Sequence, residues 1–425
     1  MMQHGAYSMV LYISEGKQPE LTDLLQQIVD NDVETNGIVP FKQITSIHFA
    51  RFIALGKSID VHGQEVAPRL AFTTNYDMPL ENHIQELVRV AGPGLWRIFS
   101  MCQNFSFGNY NADMLERFLL SQNIPSETFY VGVGYRSVQQ IHNENLLRKA
   151  INEFADGQRA LLQNEPAQAT RQRIINFVRS RPDLKWADSP EPGSSRAFTI
   201  SRYVKLIGII ALLIIFSPII LPFVIIWMLI MLVFEITELQ APNPVTKDQI
   251  RALVARETQL VQAQFSALGN IKPGRFRLIT MKFLLQSTNF LAPYIFTKGK
   301  LSGIPTVHFA RWLLVEEGRQ MLFLSNYDGN SENYLRDFIN IAAKQLTLLF
   351  CLAQGYPKTW LMVFGGAKDA ENFMAWARYR QVITNVWYSA NKEVSVMNIF
   401  QNSKIRCGLY GEMTETEAQK WISII

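Results

Sequence analysis

From Leu206 to Phe234 the chain reads "LIGIIALLIIFSPIILPFVIIWMLIMLVF", 29 residues without a charge near the middle of a 425-residue protein. An uncharged run of this length is membrane-inserting material. It constrains everything else, because what folds before it and what folds after it must each lie on one side of a bilayer. A single straight helix of that length would measure about 43 Å, against a hydrocarbon core of about 30 Å. Pro218 and Pro222 divide the run into arms of 11 and 12 residues, each about 17 Å long, or half a bilayer. The predicted form is therefore a re-entrant helical hairpin, and the alternative is one tilted, proline-kinked span. Arg196, Arg202 and Lys205 precede the apolar run and suit anionic lipid head groups. The opening stretch "MMQHGAYSMVLYISEGK" has neither a basic leader nor a signal-type apolar core, so a cytoplasmic N-terminus is expected.

On either side of this run the chain repeats itself. "SIHFARFIAL" (Ser46–Leu55) returns as "TVHFARWLLV" (Thr306–Val315), and "LAFTTNYD" (Leu70–Asp77) returns as "MLFLSNYD" (Met321–Asp328). Arg51 and Asn75 are 24 positions apart, Arg311 and Asn326 only 15, so the first copy carries a hairpin loop nine residues longer. Upstream of each pair lies a strand-like run, a Gly-containing turn and a helical pattern; downstream lie apolar residues at helical spacing, then "TFYVGVGY" or "ITNVWYSA", then another helix.

Each half reads β-α-β-β-α-β with added helices, which is the ferredoxin-like order written twice. The predicted fold is α+β: two ferredoxin-like repeats in one chain, of dimeric α/β-barrel type, separated by the membrane hairpin. A four-stranded sheet covered by helices on one face leaves the other face apolar, so the two units are expected to close on each other. That pairing favours the hairpin, since a single crossing would part the halves. The predicted organisation is a first unit at 1–157, a helical and Pro/Ser-rich linker at 158–200, the membrane segment at 201–236, a linker helix at 237–258 capped by Thr246, and a second unit at 259–425. A second membrane contact is readable in "FRLITMKFLLQSTNFLAPYIFTKGK", edged by Arg277, Lys282, Lys298 and Lys300, although a helix packed on its own sheet accounts for the same pattern.

Composition narrows the function. Forty-one Lys and Arg against 36 Asp and Glu give +5, a mild excess that fits a bilayer with anionic head groups as partner. No basic stripe interleaved with aromatics appears, so nucleic acid is not an expected partner. Cys102, Cys351 and Cys407 are too few and too scattered for a disulfide framework or a zinc site. Phosphate-binding glycine loops, His-Glu-x-x-His and Gly-x-Ser-x-Gly are absent from the sequence.

The repeated strand pair supplies the candidate site. With a short turn at "EEGR" and Gly318 in the left-handed position, Arg311 falls opposite Leu324, Phe309 opposite Asn326, Val307 opposite Asp328 and His308 opposite Tyr327. Strand alternation then puts Arg311, Asn326 and Asp328 on one face and His308 with Tyr327 on the other. His308, Arg311, Asn326 and Asp328 are the candidate catalytic group, placed in the second unit, with Tyr327, Trp312, Trp376 and Trp387 as candidate ligand-binding walls. The competing use of these residues is structural: a buried guanidinium satisfied by Asn326, Asp328 or backbone carbonyls. Two functions follow, a membrane-anchored barrel that binds a small lipophilic or anionic ligand, or an enzyme.

"IKPGRFRLIT", "GKLSGIPTVHFARW", "LFLSNYDGNSENYL" and "NVWYSANKEVSVMNIF" together resemble a family of uncharacterised, membrane-associated bacterial proteins with the same strand pair. The resemblance implies a bacterial inner, cytoplasmic membrane, and the pairing of the units with a cytoplasmic N-terminus is expected to put both units on the cytoplasmic side. A remoter similarity is to dye-decolorising peroxidases, which have duplicated ferredoxin-like domains and a Gly-x-x-Asp-Gly motif whose Asp works beside an Arg over haem. Here the motif is written Ser325-Asn326-Tyr327-Asp328-Gly329, and the similarity implies haem as cofactor and a peroxidase-like oxidoreductase as the alternative function.

Overall fold

A computed structural model describes residues 4–105, 108–162, 164–190, 196–240, 242–255, 261–295, 301 and 303–425, with 196–199, 201, 202, 293 and 295 described by their backbone alone. Eight strands build two four-stranded antiparallel sheets: β1 (His4–Tyr12), β2 (Ile47–Leu55), β3 (Arg69–Asp77), β4 (Thr128–Val131), β5 (Gln262–Asn270), β6 (Val307–Val315), β7 (Gln320–Asp328) and β8 (Val386–Ser389). The first sheet runs β1-β3-β2-β8 and the second β4-β6-β7-β5. Each sheet therefore takes its outer strand from the far half of the chain. β8 lies along β2, from Val386 opposite Phe52 to Ser389 opposite Phe49. β4 lies along β6, from Thr128 opposite Trp312 to Val131 opposite Phe309.

One face of each sheet is covered by helices. On the first, α1 (Gln18–Asp30) and α2 (Leu80–Phe99), with α3 (Ala112–Ser121) beside α2, bring Leu21, Leu25, Ile84, Leu87, Leu95 and Leu119 onto Phe52 and Phe72. Those two rings stack at 4.5 Å, and burying side chains of this size is worth about 1.5–3 kcal/mol each. Helices α4 (Val138–Gly157) and α5 (Ala167–Ser180) lie farther out.

The other faces meet. Ile53, Leu55 and Ala71 pack with Leu313, Val315, Leu322 and Leu324, and Phe49 packs with Phe309. At the hairpin ends Arg69 reaches Glu316 at 2.8 Å and Arg319 reaches Asp60 at 3.1 Å, both across the halves.

Helix α6 (Arg196–Ile215) and helix α7 (Ser217–Thr237) meet at one residue, Phe216. The break precedes Pro218, which sits in the first turn of α7, where its missing N–H costs nothing; Pro222 is accommodated inside the helix. Ser217–Thr237 is the one helix among the described residues long and apolar enough to cross a membrane. Of its side chains only Met231 and Glu235 are buried. Glu235 accepts from Thr359 Oγ1 at 2.6 Å and Met362 N–H at 2.8 Å, which fastens the helix end to the second half.

Helix α8 (Arg275–Ile295) lies between the second sheet and these apolar helices. It buries Met281, Leu284 and Leu285 on the sheet side and exposes Ile279 and Phe283 on the other. Trp227 Nε1 donates to Thr280 Oγ1 at 2.9 Å, and Tyr203 meets Tyr294 with ring centroids 6.1 Å apart, so both α6 and α7 touch α8. Lys298 and Lys300 lie outside the described residues, as do the side chains of Arg196 and Arg202.

The second helical face is completed by α9 (Ser331–Ile341), α10 (Ala343–Phe350) and α11 (Ala370–Arg380). Past β8, α12 (Val396–Cys407) packs on α4, where buried Glu144 accepts from Ser403 Oγ at 2.5 Å and from Arg406 at 3.3 Å. Helix α13 (Glu415–Ile422) closes the chain on α5. Thr246 caps the short helix Lys247–Val254 as the sequence predicts, accepting from Gln249 N–H at 3.1 Å.

Candidate functional site

The predicted register holds as far as Phe309 opposite Asn326, then changes. Val307 pairs with Tyr327 rather than Asp328, because His308 is a bulged residue, unopposed in the ladder. The bulge carries His308 toward Asp328, and its Nε2 lies 2.7 Å from Asp328 Oδ1. His308 thus joins Asp328, and not Tyr327 as simple alternation implies. The other carboxylate oxygen accepts the Val396 N–H at 2.8 Å, at the first turn of α12.

Arg311 does not reach Asp328. It crosses to the first sheet and donates to Tyr7 O at 2.7 Å, Ser8 Oγ at 2.9 Å and Thr74 O at 2.8 Å. Arg51 crosses the other way, donating to Phe265 O at 3.2 Å, Ser266 Oγ at 2.9 Å, Ser325 O at 3.1 Å and Asn326 Oδ1 at 2.5 Å. Burial pushes both guanidiniums down to about 9, still charged at neutral pH. Asn326 belongs to this arrangement, since its Oδ1 also accepts from Trp387 Nε1 at 3.0 Å.

The remaining candidates lie apart. Trp312 is buried on the helical side against Phe323 and Phe350. Trp376 packs on Phe350 and Tyr356 and donates to Gln354 O at 3.2 Å. Tyr327 stacks on Tyr334 at 3.8 Å. The space these second-half aromatics enclose, lined by Phe265, Phe323, Tyr334 and Trp376, amounts to about 20 Å³. That is room for a single water and not for a porphyrin. With Arg311 and Asp328 also turned apart, the residues present do not fit haem.

Among the described residues two larger openings lie elsewhere: one of about 740 Å³ where α4, α5 and α13 come together, bounded by Ala155, Arg159, Ile174, Glu415 and Ile425, and one in the first half. A cleft of about 730 Å³ is lined by Thr45, Ser46, Asp77, Asn82, His83, Gln85, Glu86, Arg89, Ser137 and Gln139, with the cis Met78–Pro79 peptide at its edge. His83 Nδ1 is 2.8 Å from Ser46 Oγ and its Nε2 2.8 Å from Thr74 Oγ1, and Tyr76 stacks on the ring. Burial holds His83 neutral, with its pKa down at about 3. Glu86 is occupied by the N–H groups of Thr45 and Ser46.

Asp77 at the cleft wall repeats the second-half arrangement and adds to it. Its Oδ1 is 2.8 Å from Nε2 of bulged His48, and its Oδ2 accepts the Val138 N–H at 3.0 Å at the start of α4. Burial alone would raise the Asp77 pKa, but the His4, His48 and Val138 contacts bring it well below the usual carboxylate range. Burial lowers His48 to about 4. The addition is His4, opposite Asp77 in the ladder, with Nδ1 3.3 Å from the same Oδ1.

Both ring nitrogens of His4 are buried, and Nε2 has no hydrogen-bond partner. His4, His48 and Asp77 offer three ligand atoms within 4.8 Å of one another, the one such group among the described residues. Sequence reasoning passed over His4, His48 and His83. The available signal was the pairing of β1 with β3, which sets His4 against the Asp that ends "NYD". Comparison with protein-family models, with curated proteins and with solved structures finds no match to this chain.

Proposed function

We propose that the chain is a membrane-anchored binding protein: two ferredoxin-like units, paired as in a dimeric α/β barrel, carry a small polar ligand in the cleft beside Asp77. The reading rests on that cleft, whose volume falls in the range of small-molecule sites and whose wall supplies Asn82, Gln85, Arg89 and Gln139. The inter-sheet space is taken by Arg51, Arg311 and their apolar neighbours, and of the two surface openings the one beside Asp77 carries the denser set of polar side chains, which favours it over the opening at α5 and α13.

Anchoring rests on α6 and α7, whose exposed surface includes Ile215 at 68% and Phe223 at 69%, flanked by Ile279 and Phe283 of α8. The strand exchange supports a segment that returns to the side it came from. With β4 in the second sheet and β8 in the first, neither half can be parted from the other by a bilayer. On this reading α6 and α7 form an apolar elbow embedded from the cytoplasmic face, with anionic head groups near its ends.

Two measurements test the proposal. Single cysteines placed in each half should label equally from the cytoplasmic side of intact cells; protection of one half counts against the elbow. Native mass spectrometry of the chain released from its own membrane should show a bound small molecule that Asn82→Trp, which fills the cleft, removes. A wild-type chain carrying lipid only would end the cleft reading.

A further inference from the structure

We propose that His4, His48 and Asp77 form a binding site for a divalent first-row transition-metal ion. Two imidazoles and one carboxylate are a donor set that such ions take while keeping coordination positions for water or ligand.

The first support is His4 itself. Its side chain is 1% exposed, its Nδ1 lies 3.3 Å from Asp77 Oδ1, its Nε2 has no hydrogen-bond partner, and it faces His48. A buried ring nitrogen without a hydrogen-bond partner costs free energy unless something binds it. The neighbours within reach are acceptor-rich or aromatic: Asp77 Oδ1, the His48 ring at 4.8 Å and Phe309 at 5.7 Å.

The second support is spacing. Donors around a tetrahedral zinc ion lie about 3.3 Å apart. Here two of the three edges measure 2.8 and 3.3 Å, and all are within 4.8 Å, so the three donors already cluster near ligand spacing. The Val138 N–H holds the second Asp77 oxygen, an outer contact of the kind that orients a carboxylate ligand.

The third support is the comparison inside the molecule. Asp328 has the same tie to His308 and to a helix N–H, but the residue opposite it in the ladder is Gln262. Gln262 is fully engaged, donating to Asn391 O at 3.0 Å and Val394 O at 2.6 Å and accepting from Ser389 Oγ at 2.5 Å. The His–Asp tie alone therefore suffices to seat a helix on a sheet end. The third ligand is extra, and it is present only where Asp77 opens onto the cleft. Asp77 also lines the cleft, so an ion here would sit next to it, although the site stands whether or not the cleft takes a ligand.

The test uses the full chain in detergent, free of any histidine tag and stripped with chelator. Titration calorimetry with Zn²⁺ should give one ion per chain. His4→Gln, which installs the residue found at the matching second-half position, should weaken binding by at least about tenfold, while His142→Ala, at an exposed position of α4, leaves it unchanged. Absence of saturable binding, or binding that ignores His4→Gln, overturns the proposal. If His4→Gln does not fold, Co²⁺ loaded into the wild-type chain decides. Intense visible bands of a four- or five-coordinate ion support the site, and only the weak bands of the hydrated ion refute it.

Discussion

Removing Arg311 tests the reason His-Phe-Ala-Arg occurs twice. In Arg311→Ala three buried acceptors, Tyr7 O, Ser8 Oγ and Thr74 O, lose their donor, at about 1–3 kcal/mol each. Relief of the buried charge offsets part of this, so the net loss should be about 3–5 kcal/mol. That is a large share of the 5–15 kcal/mol that typically holds a domain together. Arg51→Ala should lose as much, because it abandons Phe265 O, Ser266 Oγ, Ser325 O and Asn326 Oδ1 on the opposite sheet.

Arg311→Met separates hydrogen bonding from packing. It refills most of the volume yet donates nothing, so it should remain nearly as damaged as the alanine variant. The assay is denaturant and thermal unfolding of all three variants in one detergent. Losses under about 1 kcal/mol at either arginine, or recovery in Arg311→Met, would refute the account of two crossed pins.

Three further outcomes are expected. Chains split in the linker between α5 and α6 should not fold as separate halves, since each sheet then lacks its outer strand, but co-expressed halves should copurify; cooperative unfolding of either half alone would contradict the exchange. Phe283→Glu, on the exposed side of α8, should reduce association with anionic vesicles without lowering the melting temperature, and unchanged flotation would remove α8 from the membrane face. His83 has a folded pKa of about 3 against 6.5, so its contribution is complete above pH 6.5 and falls as pH drops toward 3, by roughly 1.4 kcal/mol per unit at most; His83→Gln should flatten that slope, and an unaltered slope would assign it elsewhere.

Much of the frame was legible in the sequence because period-two and helical patterns are local. The β2–β3 and β6–β7 hairpins, their register at Arg311–Leu324 and Phe309–Asn326, and the Thr246 cap all follow from neighbouring residues. Which sheet receives β4 or β8 does not. "TFYV" and "VWYS" have the same alternation whichever partner they join, so only tertiary packing decides. The His308 bulge was equally hidden, since one unopposed residue leaves no trace in hydrophobic period but reverses which face follows it. That single residue is why Asp328, predicted beside Arg311, instead holds His308. The aromatic weight of the second half drew attention to Trp312, Trp376 and Tyr327, which turn out to be packed. The first half signalled its opening only through Met78-Pro79 and a histidine at position 4.

If the two units descend from one, the asymmetry between them has a physical logic. The tie from a bulged histidine through an aspartate to a helix N–H seats α4 and α12, and loss of either tie would unseat a helix that holds the halves together through Glu144 and Arg406. Those positions are fixed in both halves by the fold. The position opposite the aspartate is not, because it sits at the start of an outer strand and contributes to neither pin. In one half it became Gln262, which fastens the loop at Asn391 and Val394; in the other it is His4, which reaches Asp77 through Nδ1 and leaves Nε2 without a hydrogen bond. A buried Nε2 left without a hydrogen bond, beside a second histidine and an aspartate, is what an ion held by His4, His48 and Asp77 would use.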